Sequence, residues 1–126
     1  MKDYVFDDRS PIYVQIARQL EDDIVSGALG PNDPVWSTNQ YATTFRINPA
    51  AAAKGLQQLV DEGFLYKKRG IGMFVSPDAR ERLLGRRRER FVDDVVLPML
   101  REAERIGFDL DDVIGLIGTA RAGDLR

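Results

Sequence analysis

The chain of 126 residues contains no cysteine and no histidine. These absences exclude disulfide bonds, a thiol nucleophile, an imidazole general base and zinc sites built on thiolate or imidazole ligands. The sequence also has no glycine-rich phosphate loop of the P-loop or dinucleotide type. We therefore expect no catalytic residues, no metal site and no cofactor, and an enzyme is a distant interpretation.

The chain also lacks long apolar runs and an excess of charge of either sign. No apolar stretch approaches the ~18 residues that a membrane span needs, and the start MKDYVFDD is unlike a secretory signal. Lys and Arg number 18 against 20 Asp and Glu, and 44% of the residues are hydrophobic. We expect a cytoplasmic protein without a membrane partner, built as one compact domain or a small domain with an appended element.

Three helices are predicted in the first half of the chain. The first covers residues 11–26, and the second covers residues 38–45 after the capping box Ser37-Thr38-Asn39-Gln40. The third covers residues 49–62, because Asn48-Pro49 combines a cap residue with a proline at the first helical position. Five residues form the predicted apolar side of this third helix: Ala52, Ala53, Leu56, Leu59 and Val60.

The segment after the third helix predicts a β-hairpin. Residues 64–68 and 73–75 have the composition of short strands, and residues 69–72 form a glycine-bearing turn. A very short turn joins the second and third helices. The fold class is therefore mainly α with a small β-hairpin, a winged helix-turn-helix that we assign to residues 1–76.

Residues 77–126 predict a second element with two helices. A long helix over residues 77–106 should be kinked at Pro98 or lose one hydrogen bond there, and Asp109 should cap a short final helix. Their apolar stripe is too long for the small N-terminal unit to cover, so we expect a homodimer. The predicted interface residues are Leu84, Phe91, Val95, Met99, Ala103, Ile106, Val113, Ile114 and Ile117.

In a winged helix-turn-helix the third helix enters the DNA major groove, and the hairpin, or wing, contacts an adjacent groove or the backbone. Small side chains at the start of the third helix would let its backbone approach the bases. Positive charge beside glycines in the wing suits a phosphate-lined groove. These features predict a double-stranded DNA partner.

The stretches PIYVQI, FRINPAAAAKGLQQLVDEGFL and YKKRGIGMFV resemble the GntR superfamily of bacterial transcriptional regulators, and the short tail resembles its YtrA-like branch. The resemblance implies a sequence-specific regulator, usually a repressor, that binds an inverted-repeat operator as a homodimer. The sequence identifies no small-molecule effector. The predicted DNA-binding residues are Ser37, Asn39, Arg46, Asn48, Ala50, Ala51, Lys54, Lys67, Lys68, Arg69, Gly70 and Gly72.

Several interpretations that do not involve DNA stay open. The family commonly has an arginine where Asn39 stands, and Ala50 and Ala51 lack a hydroxyl or amide group. Both departures favour the alternative of a protein-interaction module without DNA function. The cationic wing could instead protect a hairpin edge from aggregation. Trp36 is more typical of a packing residue than of a ligand pocket. The arginines between Arg80 and Arg90 are most simply a solvated helix face.

Overall fold

The structure, a computed structural model, describes residues 5–123. Residues 1–4 and 124–126, at the outer ends of the two predicted domains, lie outside the described residues. The described residues form two compact units that divide between Gly85 and Arg86. Within residues 5–123, none of the helices combines the length and apolar character that a membrane crossing requires.

The first unit contains three helices and a hairpin, as the sequence predicts. The helices are α1 (Ile12–Ser26), α2 (Thr38–Phe45) and α3 (Pro49–Asp61). The hairpin consists of β1 (Leu65–Lys68) and β2 (Gly72–Val75), paired antiparallel. The predicted mainly α fold class with a small β-hairpin is confirmed.

The hydrophobic core of this unit lies between α1 and α3. Ile16, Leu20 and Ile24 of α1 are almost fully buried, and Leu56 and Leu59 of α3 pack in the same cluster. The predicted apolar side of α3 is wrong at one position, because Ala53 is exposed. The buried stripe instead consists of Ala52, Gly55, Leu56 and Leu59. Ala53 lies one residue, about 100°, away from Ala52 around the helix.

The wing is supported by the loop between α1 and α2. The backbone N–H of Val35 donates to the carbonyl of Met73 at 3.0 Å, and that of Val75 donates to the carbonyl of Asp33 at 2.9 Å. Pro34 pairs with Phe74 as an isolated antiparallel bridge. This part of the loop therefore lies alongside β2 and is joined to it by a single bridge.

Helix α4 (Ala79–Phe91) begins in the first unit and ends in the second. Ala79 and Leu83 are fully buried in the core of the first unit. Leu84, a residue of the predicted dimer interface, is half-buried.

The second unit contains the end of α4, a π-helical turn (Val92–Val96), α5 (Leu97–Arg105) and α6 (Leu110–Arg121). The disturbance expected at Pro98 takes the form of this wide turn. The ring of Pro98 crowds the carbonyl four residues earlier, and Pro98 has no N–H to donate. Asp109 caps α6 as predicted, because its side chain accepts the N–H of Asp112 at 2.8 Å.

Candidate nucleic-acid interface

The connection between α2 and α3 is short and fixed by local hydrogen bonds. Ser37 Oγ accepts the N–H of Gln40 at 3.1 Å, and Gln40 Oε1 accepts the N–H of Ser37 at 2.8 Å. Helix α2 ends at Phe45, and the residue that follows it, Arg46, takes the left-handed conformation at φ 54°. Asn48 Oδ1 then accepts the N–H of Ala50 at 2.8 Å and starts α3. The predicted caps at Ser37 and Asn48 are confirmed.

Helix α3 presents an exposed face whose N-terminal end carries little side-chain bulk. Ala50, Ala53, Lys54 and Gln57 are all exposed on it, whereas Ala51 is half-buried. Since these four residues follow a spacing of three or four, they share one side of the helix. At its N-terminal end this face offers only methyl groups, which permits a close approach of the backbone.

Lys54 is supported by an aromatic ring of α1. Its Nζ lies 4.0 Å from the centroid of the Tyr13 ring. Such a contact between an ammonium and an aromatic face is attractive, and it restrains the direction of a long, flexible side chain. Lys54 is thus an ordered positive charge beside the exposed face of α3.

The wing carries three consecutive cations, Lys67, Lys68 and Arg69, all exposed. Lys67 Nζ donates to Gln57 Oε1 of α3 at 2.7 Å, and Lys68 Nζ lies 4.9 Å from the centroid of the Phe74 ring. The hairpin turn needs Gly70, whose φ of +76° is left-handed. The wing therefore places positive charge at a tight tip and at the side of α3.

All twelve predicted DNA-binding residues lie at the N-cap of α2 or within α2, in the α2–α3 turn, in the first turns of α3 or in the wing. Eleven of them are exposed, and Ala51 is the half-buried one. DNA contact by each stays a prediction. Sequence reasoning missed Ala53, Gln57 and the supporting Tyr13. The helical spacing from Ala50 gives the first two, whereas the Tyr13 contact joins residues far apart in the chain.

Two arginines of α4 bind the carbonyl ends of earlier helices. Arg82 donates to the carbonyls of Glu62 and Gly63 at 2.8 and 3.0 Å, and its guanidinium lies 4.8 Å from the centroid of the Phe64 ring. Arg80 Nε donates to the carbonyl of Val25 at 3.0 Å. Cations are favourable at helix C-termini, so these two arginines hold the chain together and are not simply a solvated face.

An aromatic cluster supports α2 from the inside. The rings of Trp36 and Tyr41 meet edge to face at 5.4 Å, and Phe45 lies 6.0 Å from Trp36. Trp36 is thus a packing residue, as its loop position predicts. Burial raises the pKa of the Tyr41 hydroxyl above its ordinary value, and the negative charge of Asp23 raises it further. Burial also raises the pKa of the Asp23 carboxyl, against the hydrogen bond from Gln19.

The second unit exposes most of the predicted dimer residues. Two of the nine, Ala103 and Val113, are already buried within the single chain. Six others are between 37% and 59% exposed. An apolar groove of about 370 Å³ runs between α5 and α6, lined by residues that include Met99, Ile106 and Ile117. The six exposed residues of the predicted dimer interface are Phe91, Val95, Met99, Ile106, Ile114 and Ile117.

Comparison with known proteins covers mainly the first unit. The family model for bacterial regulatory proteins of the gntR family matches residues 12–75, half of the chain. The HTH-type transcriptional repressor NagR of Bacillus subtilis is 42% identical over 74 residues, 59% of this chain and 30% of NagR. The HTH-type transcriptional repressor YtrA of the same organism is 32% identical over 75 residues, 60% of this chain and 58% of YtrA. The match thus spans less than two thirds of either relative.

Solved structures extend the likeness in fold. A GntR family transcriptional regulator from Listeria monocytogenes superimposes with a TM-score of 0.74 at 24% identity, covering 90% of this chain and 98% of that one. The DNA-binding domain of AraR in complex with operator ORX1 gives a TM-score of 0.53 at 25% identity, covering 57% of this chain and 93% of that one. With its helix-turn-helix, its wing and the family match over residues 12–75, the chain belongs to the GntR family of bacterial regulatory proteins.

Proposed function

We propose that this protein is a transcriptional repressor that binds an inverted-repeat DNA operator as a homodimer. The relatives NagR and YtrA are both named as transcriptional repressors, and the AraR DNA-binding domain was solved on operator DNA. The proposal places the protein in the cytoplasm, where bacterial operators are found, and includes no effector.

The observation that carries DNA binding is the exposed face of α3 beside the cationic wing. The methyl side chains of Ala50 and Ala53 let the start of α3 lie deep in a major groove. The positive dipole end of the helix favours a nearby phosphate. Lys67, Lys68 and Arg69 of the wing then neutralise phosphates of the same duplex.

The observation that supports a homodimer is the apolar surface of the second unit. Phe91, Ile106 and Ile114 are each more than half exposed, which is unfavourable in water. A second copy related by a two-fold axis would cover this surface with the same surface. Two α3 helices about one turn of DNA apart, roughly 34 Å, would then read an inverted repeat.

The proposed organisation is a DNA-binding domain in residues 1–76 and a dimerisation element in residues 77–126. The first turns of α4 have a second role, because Ala79 and Leu83 complete the core of the first unit. The size of the DNA interface also favours a dimer. A single DNA-binding module buries only about 600–1,000 Å² on DNA, and two modules double this area.

One experiment tests the function directly. The full chain is used to select bound sequences from a pool of random duplex DNA, and its mass is measured by sedimentation. An enriched inverted repeat and a dimeric mass are expected. Absence of binding even to random duplex at low salt would contradict the proposal and favour a protein-interaction module, because phosphate contacts alone give measurable non-specific binding.

A further inference from the structure

Gln57 stands at a distinctive place on the proposed DNA-reading surface. It lies seven residues after Ala50, two helical turns further along the same exposed side of α3. Ala50 and Ala53 carry no hydrogen-bonding groups, and Lys54 is directed onto the Tyr13 ring. Gln57 is therefore the side chain in line with Ala50 that combines a donor and an acceptor.

The Gln57 amide is held in one orientation by two charged neighbours. Its Nε2 donates to Asp61 Oδ1 at 2.8 Å, and its Oε1 accepts from Lys67 Nζ at 2.7 Å. A carboxylate can only accept and an ammonium can only donate. The two partners therefore fix which end of the amide is the nitrogen and which is the oxygen.

Each of these bonds uses only half of the capacity of the amide. An amide nitrogen carries two N–H groups, and an amide oxygen has two lone pairs. With Asp61 and Lys67 in place, one N–H and one lone pair of Gln57 remain for a ligand. In the major groove, adenine offers the matching pair, the acceptor N7 and the donor N6–H, whereas guanine offers two acceptors.

We propose that Gln57 is a specificity-determining residue that reads an adenine in each half-site, with Asp61 and Lys67 as the residues that position its amide. This inference rests on the proposed DNA-binding function. It adds to that function a named base and a mechanism for rigidity. The amide is oriented before DNA arrives, so that little side-chain freedom is lost on binding.

The test compares base preferences of four full-length proteins, each selecting from the same pool of random duplex DNA. These are the wild type, Gln57→Ala, Gln57→Glu and the matched control Gln58→Ala. Gln58 is a neighbouring exposed glutamine on α3 that lies about 100° away around the helix. Because both positions are exposed, the thermal midpoints of all four proteins should agree.

The wild type and Gln58→Ala should both enrich adenine at one position per half-site, by roughly 5- to 150-fold over other bases. Gln57→Ala should lose this preference at that position alone and keep the others. Gln57→Glu, which can only accept, should shift the preference towards cytosine, whose N4 amino group donates.

Two results would overturn the inference, and they are distinguishable. If Gln57→Ala and the wild type enrich the same bases with the same strength, Gln57 reads no base while the DNA-binding function stands. If none of the four proteins retains DNA, the proposed function itself fails and the inference fails with it.

Discussion

A Cβ atom added at Gly55 of α3 would lie 2.7 Å from the carbonyl oxygen of Tyr13 in α1. It would also lie 3.2 Å from the Cβ of Ile16. The two helices are thus in contact through the backbone at this point. Because Gly55 has no side chain, α3 can pack closely on α1. The exposure of the opposite face of α3 depends on this close packing.

Gly55→Ala should therefore destabilise the protein, although alanine is the better helix former by about 1 kcal/mol. The clash involves a backbone oxygen that cannot rotate away, and overpacking of this kind costs roughly 1–3 kcal/mol or more. Gly85→Ala is the matched control, because a Cβ at that helical position meets nothing within 4 Å. Urea unfolding should show a loss for the first variant and a small gain for the second. A gain for both would mean that α1 and α3 are not packed this closely.

The start of α4 should be needed for the stability of the first unit. Leu83 is fully buried in that core, so Leu83→Ala should lower the free energy of unfolding by about 2–5 kcal/mol. A chain that ends at Ser76 should be less stable than one that ends at Gly85. Equal thermal midpoints for the two truncated chains would show that α4 adds nothing to the core.

Arg69 at the wing tip should contribute mainly to non-specific DNA affinity. Arg69→Ala should weaken binding to all sequences and reduce the slope of log affinity against log salt by roughly 1. Arg82→Ala is the control of equal charge, since that guanidinium binds the carbonyls of Glu62 and Gly63. It should lower stability and leave the salt slope unchanged. Titrations of a fixed duplex at several salt concentrations measure both slopes, and identical slopes for wild type and Arg69→Ala would remove the wing from the interface.

Phe91→Asp should produce a monomer with weak, strongly salt-dependent DNA binding. Phe91 is 55% exposed, and a buried, unpaired carboxylate at a dimer interface is costly. Val5→Asp changes an even more exposed apolar residue of the first unit, at 82%, and should leave the mass unchanged. Sedimentation of both variants checks the prediction. A dimeric Phe91→Asp with full operator affinity would place the interface elsewhere.

The Asp23 carboxyl should reduce stability at neutral pH. Because burial raises its pKa in the folded chain, the folded state holds this proton more tightly than the unfolded state. Stability therefore falls as the pH rises from the ordinary pKa of an aspartate through the raised one. Asp23→Asn keeps an acceptor for Gln19 and cannot ionise, so it should be more stable than wild type at pH 7 and equal at about pH 3. Urea unfolding at both pH values measures the difference in unfolding free energy between Asp23→Asn and wild type. A wild type that is the more stable of the two at pH 7 would contradict the prediction.

The helix boundaries could be predicted closely because their signals are local. The side chains of Ser37 and Asn48 cap helices by accepting backbone N–H groups that lie no more than three residues further along the chain. The signals of Pro98 and of the apolar periodicity are also local, because each involves residues within about one helical turn. The predicted bounds of α2 agree with the structure at both ends.

The features that sequence analysis missed are contacts between distant residues. The helical phase of α3 at Ala53 is set by the close approach of Gly55 to α1, which spacing alone does not reveal. The roles of Tyr13 and Arg82 depend on partners 41 and 20 or 19 residues away in the chain. Two residues of the predicted dimer interface, Ala103 and Val113, are covered by their own chain, and this likewise depends on how α5 meets α6.

The bridge between the α1–α2 loop and β2 has a consequence for self-association of the wing. The loop covers the side of β2, and its bridging residue is Pro34, which has no N–H to offer to another strand. The opposite side, β1, carries Lys67 and Lys68, and lysines discourage the edge-to-edge addition of strands. The sheet is thus closed to growth on one side by proline and on the other by charge. Copies of the protein at high local concentration should therefore not join their wings into a common sheet.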